Sequence, residues 1–224
     1  NRMGRGLFIT GTDTDVGKTY VTALLVKTLR SAGYDVGYYK AAISGARTVE
    51  ESDAGFVNRF AQICEPEDML LSYLYQNAVS PHLAARIEGN PVEKDVIMSA
   101  WERVTAAYPY VTMEGSGGIV CPIRHDEKAV YYLEDIIRWL RLPVLVIADA
   151  GLGTINRVVT TCEYIRRRNI SVKGIILNHW KGGVMEEDNV EMIEEITGMK
   201  VLARVKKGDT ALDIDPKTII SLYE

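Results

Sequence analysis

Short apolar runs rich in β-branched residues alternate along this chain with segments of helical period, and this alternation constrains the fold more than any other feature. The runs are Leu7–Thr10, Val36–Lys40, Tyr110–Glu114, Val144–Asp149, Val172–Asn178 and Val201–Val205. After the first run, Val21, Leu24, Leu25, Thr28 and Leu29 recur at helical spacing as far as Gly33. Ala54–Ile63, Glu93–Ala107, Leu133–Leu140, Asn156–Arg168 and Glu186–Thr197 also read as helical. Near-continuous apolar strands separated by helices predict a doubly wound α/β fold, a mostly parallel sheet with helices on both faces. At 224 residues the chain fits one large domain, on a prior of roughly 100–200 residues per domain. We take that domain as residues 3–224 and read Asn1 and Arg2 as a tag remnant or leader.

Composition narrows the function classes. A net charge of −4 gives no basic footprint for nucleic acid. No apolar run approaches the ~18 residues of a membrane span, and Leu7–Thr10 is too short for a secretory signal. Cys64, Cys121 and Cys162 are odd in number and widely spaced, so neither a disulfide framework nor a zinc site is indicated. A cytoplasmic, reducing location follows as the expectation.

Ligands of such sheets bind beyond the carboxyl ends of the strands. The strand tails here read "TGTDTDVGKT", "KAAISG", "EGSGG", "ADAGLGTIN" and "NHWKGG", gathering glycine and polar residues. The first ends like a phosphate-binding loop of the G-x-x-x-x-G-K-[ST] type. However, Thr12 holds the place of the first glycine, and Gly11 stands one residue early. Between an apolar strand and an amphipathic helix, successive N–H groups there make an anion cradle. Lys18 would reach the β- and γ-phosphates and Thr19 would ligate Mg²⁺. The chain is thus read as of P-loop NTPase type.

Other residues admit two readings each. Glu114, at the end of its strand before Gly115, Ser116 and Gly117, is either a solvated acid or a Mg²⁺-organising carboxylate. Asp53 is either a helix N-cap or a second such carboxylate. Lys40 either snorkels from its strand or stands as a second cation at the reacting centre. Ser44 is weaker by position alone. His82, His125 and His179 show no ligand spacing, and Arg166, Arg167 and Arg168 read as a solvated helix end.

Together these blocks resemble the dethiobiotin synthase family. The resemblance rests on "TGTDTDVGKT", "YYKAAISG", "SDA", "AVSPHLAARIEGNPV", "MEGSGG", Pro122-Ile123 and "GLGTIN", in the family's order and over most of the chain. The family's loop has the form G-T-D-T-x-V-G-K-T, which accounts for the displaced glycine. The resemblance implies an ATP-dependent ligase. ATP, CO₂ and 7,8-diaminononanoate would give dethiobiotin, ADP and phosphate through a carbamate and a carbamic–phosphoric anhydride.

It also implies roles. Lys40 and Lys18 would be catalytic. ATP would be bound by Asp15, Val16, Gly17, Lys18, Thr19, Tyr20, Asp53, Glu114, Gly115, Ser116, Gly117, Asn178 and His179. Mg²⁺ would be held by Thr19, Asp53 and Glu114, and the diamine by Ser44, Gly117 and Asn156, the last reaching across a homodimer interface. Three departures stand out. Ala41 follows Lys40 where the family has proline, which loosens the expected turn. His179 follows Asn178 where the family has aspartate. Around Lys206 the family's proline and acidic contact have no clear counterpart. The last two imply a looser preference for ATP.

Two rivals remain. One is a dimerising switch ATPase of the MinD/ParA type, whose signature lysine would fall at Asp13. The other is a related ATP-dependent ligase acting on another substrate.

Overall fold

The computed structural model describes residues 4–224, so the reading of Asn1 and Arg2 lies outside the described residues. The chain runs β1 (Arg5–Gly11), α1 (Lys18–Ser31), β2 (Val36–Ser44), α2 (Asp53–Phe60), α3 (Glu67–Leu70) and β3 (Leu71–Tyr75). It continues through α4 (Pro81–Glu88), α5 (Lys94–Ala107), β4 (Tyr110–Gly118), β5 (Pro122–His125), β6 (Val130–Tyr132) and α6 (Leu133–Leu140). The last third is β7 (Val144–Asp149), α7 (Thr154–Arg166), β8 (Val172–Asn178), α8 (Val184–Thr197), β9 (Val201–Arg204) and α9 (Pro216–Ile220). Seven strands form one sheet in the order β3-β2-β4-β1-β7-β8-β9, and every pairing in it is parallel. The doubly wound α/β architecture is therefore the one the alternation predicts.

Successive residues of a strand face opposite sides, and this sorts the core into two layers. Leu7 and Ile9 pack with α1, α2 and α9, through Leu24, Leu25, Val57 and Ile219. Phe8 packs on the other side with α5 to α8, through Val104, Ile136, Val158 and Ile193. Within α1, Val21, Leu24, Leu25 and Leu29 are fully buried. Each contributes roughly 1.5–3 kcal/mol relative to exposure. The start of α1, where Lys18 and Thr19 sit, is thus fixed by packing rather than by intrinsic helix propensity.

Two strands run further than their apolar cores suggest. β2 continues through Ala41 to Ser44, so no turn follows Lys40. β4 continues through Gly115–Gly118, pairing Gly118 with Gly11 across a register shift. All strand tails emerge on one side, and the order leads outward in both directions from the central β4 and β1. That is the switch point where ligands of such sheets sit.

Candidate active site

Five residues, Thr12 to Val16, separate Gly11 from Gly17 at the head of α1. Gly17 takes a left-handed φ of 76°, and a Cβ there would lie 2.4 Å from Asn178 Nδ2. Only glycine fits on both counts. Asn178, buried at the end of β8, donates that amide to the Val16 carbonyl at 2.9 Å, tying the loop to the sheet. Asp13 is exposed, and its carboxylate accepts the Thr14 N–H at 2.7 Å.

Below the loop, register brings the charged residues together. Lys40 and Glu114 are partner positions of β2 and β4. Both are buried, so Lys40 does not snorkel and Glu114 is not a solvated strand-end acid. Lys40 Nζ donates to Glu114 Oε2 at 3.2 Å and to Asp53 Oδ2 at 3.0 Å. Thr19 Oγ1 donates to the same Glu114 oxygen at 2.8 Å, while Tyr38 donates its hydroxyl to Glu114 Oε1 at 3.0 Å. Asp53 is the first residue of α2, not its cap. Ser52 is the N-cap and accepts the Gly55 N–H, which leaves the Asp53 carboxylate free for the cluster.

Lys18 is also buried and donates to the Gly117 carbonyl at 3.0 Å. Burial, then the nearby Lys40 charge, lowers its pKa to about 8 against the pull of Glu114 and Asp53. Burial likewise opposes the Lys40 charge. The Glu114 and Asp53 carboxylates outweigh it and hold that ammonium above its ordinary value. Burial opposes the Asp53 charge too, but Lys40 outweighs it and depresses the carboxyl. Two lysines, two carboxylates and a hydroxyl are thus mutually oriented at one point. The oxygen ligands here, the Thr19 hydroxyl with the Asp53 and Glu114 carboxylates, have the chemistry of a hard-cation site.

A cavity of about 460 Å³ opens beside Lys40 and Asp53. Ser44, Ser80, Ser116, Gly117 and Cys121 help line it. Among the described residues the buried Ser44 hydroxyl has no hydrogen-bond partner, while Ser116 donates to the Ala42 carbonyl at 2.9 Å. Clefts of about 510 Å³ beside α1 and 770 Å³ along α8 are larger, but neither contains the paired lysines and carboxylates.

At the far end of the loop, His179 adopts a left-handed φ of 57°. Its Nδ1 lies 2.6 Å from Asp149 Oδ1, at the tail of β7. Tyr20 donates its hydroxyl to the Asp209 carbonyl, and Asp209 in turn accepts the Lys206 N–H at 2.8 Å. The turn after β9 is thereby pinned to α1.

The structure gathers Lys18, Thr19, Lys40, Asp53, Glu114 and Gly117 into one cluster, with Ser44 and Ser116 on the adjoining cavity. Asp15 is exposed on the loop, Val16 is buried beneath it, and Gly115 lies in β4 against Phe8. Asn156 is exposed in the first turn of α7 and does not line this cavity. His82 and His125 line a separate small cleft. Arg166 and Arg168 are engaged with the Thr197 carbonyl and Glu134. Sequence reasoning missed Tyr38, Cys121, Asp149 and Asp209. Only Asp149 carried a signal, as the acid in the strand tail "ADAG".

The family model described as an AAA domain matches residues 5–211. The chain is 48% identical over 223 residues to an ATP-dependent dethiobiotin synthetase of Brachyspira hyodysenteriae, covering 99% of this chain and 100% of the relative. A protein of the same description from Clostridium kluyveri is 43% identical over 208 residues, covering 91% of this chain and 86% of the relative. Among solved structures, the MinC:MinD cell division protein complex of Aquifex aeolicus matches with a TM-score of 0.58 at 15% identity, covering 91% of this chain and 82% of that one. A ParA family ATPase of Chlorobium tepidum matches with a TM-score of 0.54 at 14% identity, covering 98% and 89%. At such identity these two likenesses concern the fold alone.

Proposed function

The chain belongs to the AAA domain family and, within it, to the ATP-dependent dethiobiotin synthetases, and from that premise we propose that it closes the ureido ring of dethiobiotin from 7,8-diaminononanoate, CO₂ and ATP. The observation that carries this reading is Lys40, held by Glu114 and Asp53 beside a cavity that contains the unpartnered Ser44 hydroxyl. The cavity has room for a small chain next to the phosphate loop, and Lys40 stands at the join.

Phosphoryl transfer depends on positioning and charge neutralisation more than on covalent help from the protein. The backbone N–H groups leading into α1 and the Lys18 ammonium cradle the β- and γ-phosphates. Lys18 exchanges the Gly117 carbonyl for phosphate oxygen. Thr19, Asp53 and Glu114 would hold Mg²⁺, which neutralises phosphate charge when bound. Lys40 steadies a carbamate formed by one substrate amine on CO₂, while Ser44 and Gly117 orient the diamine. The carbamate oxygen attacks the γ-phosphorus and ADP leaves. The second amine then attacks the carbamoyl carbon of the anhydride, and phosphate departs with one oxygen from CO₂. Holding both amines on one surface makes ring closure effectively intramolecular.

Asn156 is assigned to the diamine site of a partner subunit, which is consistent with its exposure outside its own cavity. A homodimer in the cytoplasm, folded as one domain per chain, completes the reading. Among the described residues no helix is long and apolar enough to cross a membrane. The switch-ATPase alternative lacks its signature lysine, because Asp13 stands there.

Isotope labelling tests the proposal. With ¹³C-bicarbonate the ureido carbonyl should carry the label, and with ¹⁸O-labelled CO₂ the released phosphate should gain one heavy oxygen. Phosphate released without heavy oxygen would exclude a carbamate as the attacking group.

A further inference from the structure

We infer that Tyr38 is a positioning residue for Glu114, fixing the carboxylate that Thr19 and Lys40 share; this rests on the metal role proposed for Glu114. Glu114 is almost wholly buried and receives three side-chain donors. Thr19 and Lys40 both bond Oε2, and both have other duties once nucleotide and substrate arrive. Tyr38 alone bonds Oε1, at 3.0 Å, and Glu114 is the only hydrogen-bond partner of its hydroxyl among the described residues.

Tyr38 is itself immobile. It is fully buried, sits two residues before Lys40 on the same face of β2, and pairs in register with Thr112 of β4. β3 first pairs with β2 at Lys40, so the backbone N–H of Tyr38 lies beyond that ladder. The buried Glu65 carboxyl group takes its place, accepting that N–H at 2.9 Å. Tyr38 is thus gripped at its backbone and holds Glu114 by its hydroxyl. One carboxylate oxygen stays pinned while the other faces Thr19 and Lys40. Partners of this kind around a metal ligand typically govern ~10–100-fold in metal affinity.

The test is Tyr38→Phe, which keeps the ring. ADP binding is measured by calorimetry across a Mg²⁺ titration and in EDTA, alongside phosphate release. Half-saturating Mg²⁺ should rise about tenfold. ADP affinity in EDTA should stay within about twofold, and turnover should recover at high Mg²⁺. A Glu114→Gln background completes a double-mutant cycle on the same Mg²⁺ readout. There Tyr38→Phe should shift the Mg²⁺ curve no further, whereas an additive shift would overturn the assignment. Superimposed wild-type and Tyr38→Phe curves, even with a lowered Tm, would leave Tyr38 with a packing role only. A wild type whose ADP affinity ignores Mg²⁺ would remove the metal role of Glu114 and the Tyr38 assignment together.

Discussion

Lys40 and Glu114 face each other as partner residues on adjacent strands, and their side chains meet at 3.2 Å in the interior below the phosphate loop. The pair is held by register, so its geometry is set when the sheet forms rather than when ligands bind. Removing Lys40 leaves Glu114 buried without its cation, which costs about 3–5 kcal/mol. Lys40→Gln should therefore lower the urea midpoint clearly. It should also cut turnover at least about 100-fold, as expected when a preorganised charge is lost. ADP binding should stay nearly intact, because Lys18 and the loop remain. Unchanged kcat would remove Lys40 from the chemistry.

Glu65 makes stability depend on pH. Burial raises its pKa from 4.5 to about 8, against the Tyr38 N–H and the more distant Arg30. Its folded value lies above its unfolded one. The stability it contributes is therefore full below about pH 4.5 and is lost as pH rises through about 8. Glu65→Gln removes this dependence while keeping an acceptor for the Tyr38 N–H. The variant should match wild type near pH 4.5 and gain on it up to pH 8, by on the order of 5 kcal/mol. Parallel unfolding curves over that range would show that Glu65 ionises normally.

Ser44 separates binding from chemistry. Its hydroxyl has no partner among the described residues, so Ser44→Ala breaks no hydrogen bond seen there. Losing one bond to a charged amine costs about 1.5–3 kcal/mol. We expect the KM for the diamine to rise roughly tenfold or more, with kcat and the KM for ATP little changed. A selective fall in kcat would place Ser44 at the reacting atoms instead.

Base selectivity should be looser than is usual in the family. His179 is turned toward Asp149, and the Asn178 amide is engaged with Val16. No carboxylate follows Asn178 to read the base. Initial rates with CTP or GTP should come within about tenfold of those with ATP, a discrimination of about 1.4 kcal/mol. A much larger ratio would mean that Asp209 or another group reads the base.

The sequence was most legible where one principle acted alone. Continuous apolar runs marked β7 and β8 with their observed limits, and Leu133–Leu140 marked α6. The edge strand β3 was missed although its burial alternates through Leu71, Tyr73 and Tyr75, because five residues after a short helix give a weak pattern. The β5–β6 hairpin begins at a proline and spans few residues, so it showed no periodicity. Helix starts were displaced by one to two residues. α7 and α8 begin at Thr154 and Val184, directly after glycines that have no side-chain cap to read.

The site divided in the same way. Lys18 and Thr19 could be read from local spacing, because the loop and helix that hold them are contiguous. Lys40, Asp53 and Glu114 were ambiguous by position, and the family resemblance rather than their spacing brought them together. Tyr38 and Asp149 act through hydrogen bonds to residues 76 and 30 positions away. No local pattern encodes such pairings, since strand order and register create them.

The central claim is that the phosphoryl group passes to a carbamate of the diamine. The most direct measurement is phosphate release with Mg-ATP, 7,8-diaminononanoate and bicarbonate, each omitted in turn. The account predicts release only when all are present, in equal amounts with dethiobiotin. Release at the same rate without the diamine would contradict it.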